Sequence, residues 1–131
     1  MKVVARRRSG FTHDVEIEGG HALVIDEPAA SGGADQGPSP TRTLAAALAA
    51  CVAITVEMYA ERKGWELGDV EVAVEMEYGE KSEPRSFAVT VKLPHGLSEE
   101  QLQRIKVVAA KCPIHRALAG EVEITDRVEL A

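Results

Sequence analysis

The chain has few cysteines, few aromatic residues and no long apolar run, and each shortage excludes a class of protein. Two cysteines among 131 residues are too few for a disulfide-rich secreted scaffold or for a zinc site made of cysteines alone. Aromatic residues contribute only 4%, so the core must be built from Ala, Val, Leu and Ile. The longest apolar run, residues 44–56, is well short of the roughly 20 residues that span a bilayer. We therefore expect a soluble protein with no membrane partner.

The N-terminal residues indicate the compartment of the protein, and its charges indicate which class of partner to expect. Residues 1–8 have no apolar stretch behind them and do not read as a signal peptide, so we expect a cytoplasmic protein with reduced thiols. The 15 basic and 21 acidic residues give a net charge of −6, which argues against a nucleic-acid partner. Arg6, Arg7 and Arg8 are then interpreted as a solvated strand end. The length fits a single domain, 1–131.

The first half of the chain predicts a sheet followed by one strong helix. Segments rich in Val, Ile, Leu and His predict strands over about 2–8, 11–18 and 21–26, with alternation in the second, and Gly19-Gly20 marks a hairpin between the last two. Residues 27–39 are rich in Gly, Ser and Pro and predict a loop. Ser39 and Pro40 then begin a helix that Gly64 ends. From Leu44 to Val56 this helix has no polar face, which predicts a central helix buried on all sides.

The second half predicts a hairpin, two shorter helices and a last strand. Strict alternation over 69–79 predicts a strand, and 85–93 is its partner. Ser98 and Gln101 form a capping box for a helix to about Ala110. Pro113 begins a short helix over 113–119, and alternation over 121–130 predicts the last strand. Strands and helices in this order predict an α+β fold.

The two cysteines lie in different predicted settings. Cys51 is in the middle of the apolar helix, where a thiol can simply be a small buried hydrophobe and inert. Cys112 precedes Pro113 and is therefore placed at the N-cap of the short helix, with His115 and Arg116 within one turn. Helix N-termini and nearby cations lower the pKa of a thiol, so Cys112 is either reactive or an incidental break between helices. The local sequence leaves both alternatives open for each cysteine.

The sequence offers no convincing metal or cofactor site. Cys51, Cys112 and His115 would provide only three ligands, whereas structural zinc takes four, so we expect no metal. No Gly-rich phosphate loop is present, and no cofactor is implied. His13, His21 and His95 lack the spacing of ligands and are interpreted as strand or turn residues.

Four segments in order carry a family resemblance: GGADQGPSP, TLAAALAACVAITVEMYAERKGW, VEVAVEMEY and KCPIHRAL. Together they resemble the OsmC/Ohr family of thiol-dependent hydroperoxide reductases from about Leu23 to the end. Two anchors are specific when combined. One is the Gly-Pro-Ser-Pro loop that enters an Ala- and Leu-rich helix with a cysteine at its middle. The other is the Cys-Pro-x-His-Arg motif some sixty residues later.

The resemblance implies a fold and a mechanism. The fold is α+β, with antiparallel sheets around a central buried helix, and the protein is an intertwined homodimer. Cys51 is implied to be the peroxidatic cysteine, which attacks an organic hydroperoxide and becomes a sulfenic acid. Cys112 is implied to be the resolving cysteine, which closes a disulfide. A dithiol partner, of the lipoyl type in better-studied relatives, then reduces that disulfide.

The sequence departs from the family pattern around the thiolate. In the peroxidase branches, an Arg upstream of the central helix and a Glu near its start hold the thiolate. Here the loop 27–39 contains no Arg, and residues 40–43 contain no carboxylate. Arg42 precedes Cys51 by nine positions, which places it about 180° round the helix from the thiol. Arg116 or His115 could supply part of the missing positive charge, and the chain resembles a less-characterised branch.

Two functions of different classes remain open on these residues. The first is a two-cysteine peroxidase that reduces organic hydroperoxides and protects against oxidative stress. The alternative is a non-catalytic or redox-sensing protein that binds a small molecule on the same scaffold, which the missing Arg and Glu favour. The two thiols distinguish them, because the peroxidase requires Cys51 and Cys112 close enough to form a disulfide.

Overall fold

A computed structural model describes residues 1–94 and 96–130, where the chain forms the mixed α+β fold that the sequence predicts. His95, in the predicted turn after the hairpin, lies outside the described residues. The chain divides into two compact units, one of residues 1–46 and 75–88 and the other of residues 47–74 and 89–131. The elements are β1 Val3–Ser9, β2 Thr12–Ile17, β3 His21–Ile25, α1 Pro40–Lys63, β4 Glu71–Tyr78, β5 Pro84–Lys92, α2 Glu99–Ala109 and α3 Pro113–Ala119.

The first unit contains an antiparallel sheet in the order β1-β2-β3. Ala5 lies opposite Val15, which lies opposite Leu23, so one face of the sheet has an apolar row at its middle. On the other face, Arg6 pairs with Glu16 and Arg8 with Asp14. All three arginines are exposed in β1, which agrees with a solvated strand end.

Helix α1 has the boundaries that its sequence signals predict. The Ser39 hydroxyl accepts a hydrogen bond from the amide of Arg42 at 3.4 Å, as an N-cap does. At the other end, Gly64 adopts a φ of 70°, a left-handed conformation that a side chain would disfavour. The amides of Gly64 and Trp65 bond back to the carbonyls of Glu61 and Ala60, which closes the helix with a Schellman motif.

The expected burial of α1 on all sides does not hold within the single chain. Leu48, Val52, Val56 and Tyr59 are buried along one face. The opposite face leaves Ile54 54% and Met58 61% exposed, together with several alanines. The two faces are equally apolar in sequence, so the residue pattern cannot tell which one the chain covers. By length and composition alone α1 could also cross a bilayer, a property that core helices of soluble proteins share.

Two segments in which apolar and polar residues alternate are predicted to be strands, and only one of them is a strand in the structure. The alternation predicted for 69–79 is confirmed in β4, where Val72, Val74 and Met76 are less exposed than the residues between them. The predicted last strand over 121–130 is wrong for the single chain, because these residues have no regular structure and are all exposed. A strand needs a neighbour to supply its ladder of hydrogen bonds, and no described segment pairs with 121–130.

Candidate functional site

Both cysteines belong to the second unit, and the structure brings their side chains together. Cys51 is half-buried at the middle of α1. Cys112 is fully buried, with none of its surface exposed. The Cys51 thiol is one of the groups that raise the pKa of Cys112, so the two side chains are neighbours, and both are free rather than bridged. The middle of α1 and the start of α3 thus place two reduced cysteines next to each other.

The break between α2 and α3 positions the second thiol. Cys112 is the N-cap of α3 and Pro113 its first residue, as the sequence predicts. The Cys112 Sγ accepts a hydrogen bond from the amide of His115 at 3.3 Å, and its carbonyl accepts one from the amide of Arg116 at 3.0 Å. These backbone hydrogen bonds hold the Cys112 sulfur in place. Cys51 is the only other cysteine in the sequence.

The electrostatic environment of Cys112 differs from the sequence expectation. Burial is the main influence and raises the pKa of the Cys112 thiol above its usual value, because the thiolate would lose its hydration. The hydrogen bond with Cys51 raises this pKa further, while the amides of His115 and Ile114 oppose the shift. Cys112 is therefore held as the neutral thiol at neutral pH.

Arg116 and His115 do not act as cations on the Cys112 sulfur, and the prediction that either one supplies charge to the Cys51 thiolate stays a prediction. Arg116 is exposed on α3, and neither its guanidinium nor the His115 imidazole contributes to the pKa shift of Cys112. Only the backbone of His115 acts on this thiol, since the His115 side chain lines a separate cavity. The sequence predicts that His115 and Arg116 lie close to Cys112 along a short helix. The directions of their side chains are known only from the three-dimensional structure.

The arginines that precede Cys51 in the sequence lie in the first unit. Arg6 and Arg8 make ion pairs within their sheet, and Arg7 donates from Nε to the carbonyl of Gly10 at 2.8 Å. Arg42 is exposed near the start of α1.

His13 and His21 lie in the sheet of the first unit. His13 lies in β2 with Nδ1 2.9 Å from the carbonyl oxygen of Phe11, and His21 is exposed at the start of β3. His95 lies outside the described residues. Within the described part of the chain, no group of three or more His, Cys, Asp or Glu side chains is arranged to hold a metal ion.

An apolar cavity of about 460 Å³ lies in the same unit as the thiols. Val52, which follows Cys51 in α1, forms part of its wall, and His115 contributes one of its few polar groups. The rest of the wall comes from β5, from the segment after it and from α2: Val89, Thr90, Val91, Leu93, Leu102, Ile105, Lys106, Ala109 and Ala110. A cavity of this size and character suits a small apolar molecule.

Sequence reasoning missed the residue that anchors the loop 27–39. Asp26 is buried and accepts hydrogen bonds from the Thr12 hydroxyl at 2.6 Å and from three loop amides, those of Glu27, Ala34 and Gln36. The Thr12 hydrogen bond is the main reason that the pKa of Asp26 falls to about 2. A carboxylate directly after an apolar strand and before a Gly-rich loop was the available signal.

Comparison with known proteins places this geometry in a family. The family described as OsmC-like protein matches residues 32–126, which is most of the chain. No curated protein matches.

Three solved structures show the same fold, and each aligns over most of both chains. An OsmC-like protein from Mycoplasma pneumoniae is 20% identical with a TM-score of 0.75, over 91% of this chain and 86% of that one. An organic hydroperoxide resistance protein OsmC from Legionella pneumophila is 23% identical with a TM-score of 0.62, over 92% and 90%. The organic hydroperoxide resistance protein OhrB of Bacillus subtilis is 26% identical with a TM-score of 0.63, over 93% and 92%.

Proposed function

The chain belongs to the OsmC-like protein family, and on that premise we propose that it is a two-cysteine peroxidase that reduces organic hydroperoxides. The observation that carries the proposal is that Cys51 and Cys112 are neighbours, close enough for Cys51 to influence the pKa of the Cys112 thiol. Proteins named for organic hydroperoxide resistance share the fold, which supports the substrate class. The apolar cavity beside α1 suits the organic group of such a peroxide.

The exposures of the two thiols support a division of labour. Cys51 is half-buried and Cys112 is fully buried, so a peroxide reaches Cys51 more readily. The raised pKa of Cys112 keeps that thiol neutral and slow to react with peroxide itself. We therefore assign Cys51 as the peroxidatic and Cys112 as the resolving cysteine.

The proposed cycle has three balanced steps. The Cys51 thiolate attacks one peroxide oxygen, the O–O bond breaks, and the alcohol leaves with a proton while Cys51 becomes a sulfenic acid. Cys112 then attacks the Cys51 sulfur, so that a disulfide forms and water leaves. A dithiol reductant exchanges with the disulfide, becomes a disulfide itself and restores both thiols. Because the two cysteines are neighbours in one chain, the second step is intramolecular and fast.

The test is oxidation by cumene hydroperoxide followed by mass spectrometry of the peptides. The wild-type protein should form the Cys51–Cys112 disulfide. Cys112→Ser should retain a sulfenic acid on Cys51 that dimedone traps, because no resolving thiol remains. The matched variant Cys51→Ser should consume no peroxide. Absence of the disulfide in wild-type protein whose Cys51 still reacts with a thiol reagent would contradict the proposal.

A redox-sensing or ligand-binding protein is the second candidate. The burial and raised pKa of Cys112, with no cation acting on it, favour a thiol that reacts slowly. Turnover separates the two functions when a dithiol reductant is present in excess. The peroxidase consumes many equivalents of hydroperoxide per chain, whereas a sensor oxidises slowly and consumes about one.

We also propose that the protein is a cytoplasmic homodimer. The exposed apolar face of α1, with Ile54 and Met58, is the feature that a second copy would cover. A stable dimer of this kind buries more than roughly 2,000 Å² in total. Sedimentation should give the mass of two chains, and Met58→Glu should reduce it to one. Leu118→Glu, a similarly exposed position on α3, is the control that should remain dimeric.

A further inference from the structure

Three cations converge on one aromatic ring in the second unit, away from the chemistry of the two thiols. Around the Tyr59 ring centre, the nearest atoms are Lys63 Nζ at 5.7 Å, Arg104 Cζ at 5.8 Å and Arg62 Cζ at 6.0 Å. Arg104 also donates from Nε to the Tyr59 hydroxyl at 3.0 Å. Two of the cations come from the last turn of α1, and the third comes from α2.

The positive charge of this cluster is not neutralised by the chain. Over residues 1–94 and 96–130, the ion pairs involve none of Arg62, Lys63 and Arg104. The protein has a net charge of −6, so acidic partners are not scarce. Arg62 and Lys63 complement the dipole of α1, but that role does not account for Arg104. Like charges repel when they are gathered, and a bound anion would relieve that repulsion.

The same residues line an open groove of about 880 Å³. Lys63 and Arg104 give it positive charge, and Tyr59 and Trp65 give it an aromatic wall. The two rings meet edge to face, with centres 5.5 Å apart and planes at 77°, so the wall is rigidly packed. Ser98, Glu100, Gln101, Gln103 and Val107 complete the lining. Glu100 is exposed, and water screens its repulsion of an anion.

We propose that this cation–aromatic groove, lined by Tyr59, Lys63, Trp65 and Arg104, binds an aromatic anion. The ligand class is a planar ring that carries a phosphate or carboxylate, such as a nucleoside monophosphate. The guanidinium of Arg104 can hold the anionic group with two parallel hydrogen bonds, and Lys63 adds a point charge. The ring packs against Trp65, which is half-buried, because Tyr59 itself is buried behind it. The volume of the groove falls within the range of small-molecule sites.

Trp65 is the only tryptophan of the chain, so its fluorescence reports directly on the groove. Titration of the full-length protein with adenosine monophosphate at low salt should change this fluorescence in a saturable way. Adenosine, which lacks the anion, and inorganic phosphate, which lacks the ring, should each bind about tenfold or more weakly. A tenfold loss corresponds to about 1.4 kcal/mol, the value of one charged hydrogen bond.

Variants of α2 supply the matched controls. Arg104→Gln should weaken binding of adenosine monophosphate about tenfold, and Arg104→Lys should weaken it less, since the charge is kept and the planar fork is lost. Lys106→Gln removes an equal charge from an exposed position of the same helix outside the groove, and it should bind as the wild type does. Lys63→Gln replaces Arg104→Gln if circular dichroism shows that the latter does not fold.

Two results would overturn the proposal. One is a wild-type protein whose Trp65 fluorescence does not respond to adenosine monophosphate and which shows no binding heat in calorimetry. The other is that Lys106→Gln weakens binding as much as Arg104→Gln does. The affinity for the anion would then depend on the overall charge of the protein and not on the groove. Neither result bears on the thiol chemistry, which is measured by oxidation of Cys51.

Discussion

The interiors of the two units contain different kinds of buried side chain. Among the described residues, the buried polar side chains are Thr12, Asp26 and Ser39, all in the first unit. The buried apolar side chains lie, with the exception of Val15, in the second unit. The first unit therefore depends on hydrogen bonds to a carboxylate and a hydroxyl, and the second on the packing of aliphatic side chains.

This difference determines which conditions weaken each unit. Hydrogen bonds to a buried carboxylate require that it stays ionised, so they respond to pH. Aliphatic packing has no titrating group and responds to the volume of its side chains.

Truncation of an apolar side chain in the second unit should have the largest effect. Leu48 is only 2% exposed on α1, so Leu48→Ala should lower the free energy of unfolding by about 2–5 kcal/mol. Urea unfolding at neutral pH measures the change. The control Leu118→Ala alters a leucine that is 40% exposed, and it should stay within about 0.5 kcal/mol of the wild type. Equal losses in both variants would break the contrast.

Acid should weaken the protein through Asp26. Its pKa is about 2 in the folded chain and 3.8 without these contacts, so the ionised carboxylate contributes stability fully above about pH 4. That contribution is lost as the pH falls from about 4 to about 2. Asp26→Asn should be less stable than the wild type at pH 7 and should lose less on acidification. Urea midpoints across this range measure the change, and Asp69→Asn, at an exposed position, should follow the wild type.

The capping box of α2 tests whether a polar feature also matters in the second unit. The Ser98 hydroxyl accepts from the Gln101 amide at 3.1 Å, and the Gln101 side chain accepts from the Ser98 amide at 2.9 Å. Ser98→Ala should cost about 1 kcal/mol in the free energy of unfolding. Ser86→Ala, at an exposed position in β5, is the control. A loss at Ser98 as large as that at Leu48 would show that the second unit is not mainly apolar in its stability.

The smallest effect is expected for an exposed ion pair of the first unit. Arg6 and Glu16 lie 2.7 Å apart, but their side chains are 62% and 66% exposed. Arg6→Gln should cost less than about 1 kcal/mol, and the difference should vanish at high salt. A larger, salt-independent loss in the urea midpoint would mean that the sheet depends on its outer face.

Local signals in the sequence predicted most of the secondary structure. The N-caps at Ser98 and Cys112, and the left-handed Gly64 that ends α1, depend on residues within one turn, so they can be read from the sequence. Cys51 and Cys112 are some sixty positions apart in the sequence, and only the family resemblance suggested that they are neighbours.

The features that sequence reasoning missed depend on distant neighbours. The exposed face of α1 is as apolar as the buried one, so composition cannot distinguish them. The segment 121–130 alternates like β4 but has no described partner strand, and pairing is not encoded in alternation. The environment of Cys112 likewise depends on the directions of Arg116 and His115 side chains, which a linear motif does not specify.

The loop 27–39 has a consequence for mutational tolerance. Its composition of Gly, Ala, Ser and Pro resembles that of a loop that accepts most substitutions. However, a Cβ at Gly33 would collide with the backbone carbonyl of Glu27, and a Cβ at Gly37 with that of Val24. In a library that randomises every position of the loop, positions 33 and 37 would retain glycine as strictly as a core position retains its leucine. The exposed Ala30, which lies between β3 and Gly33, would accept most substitutions.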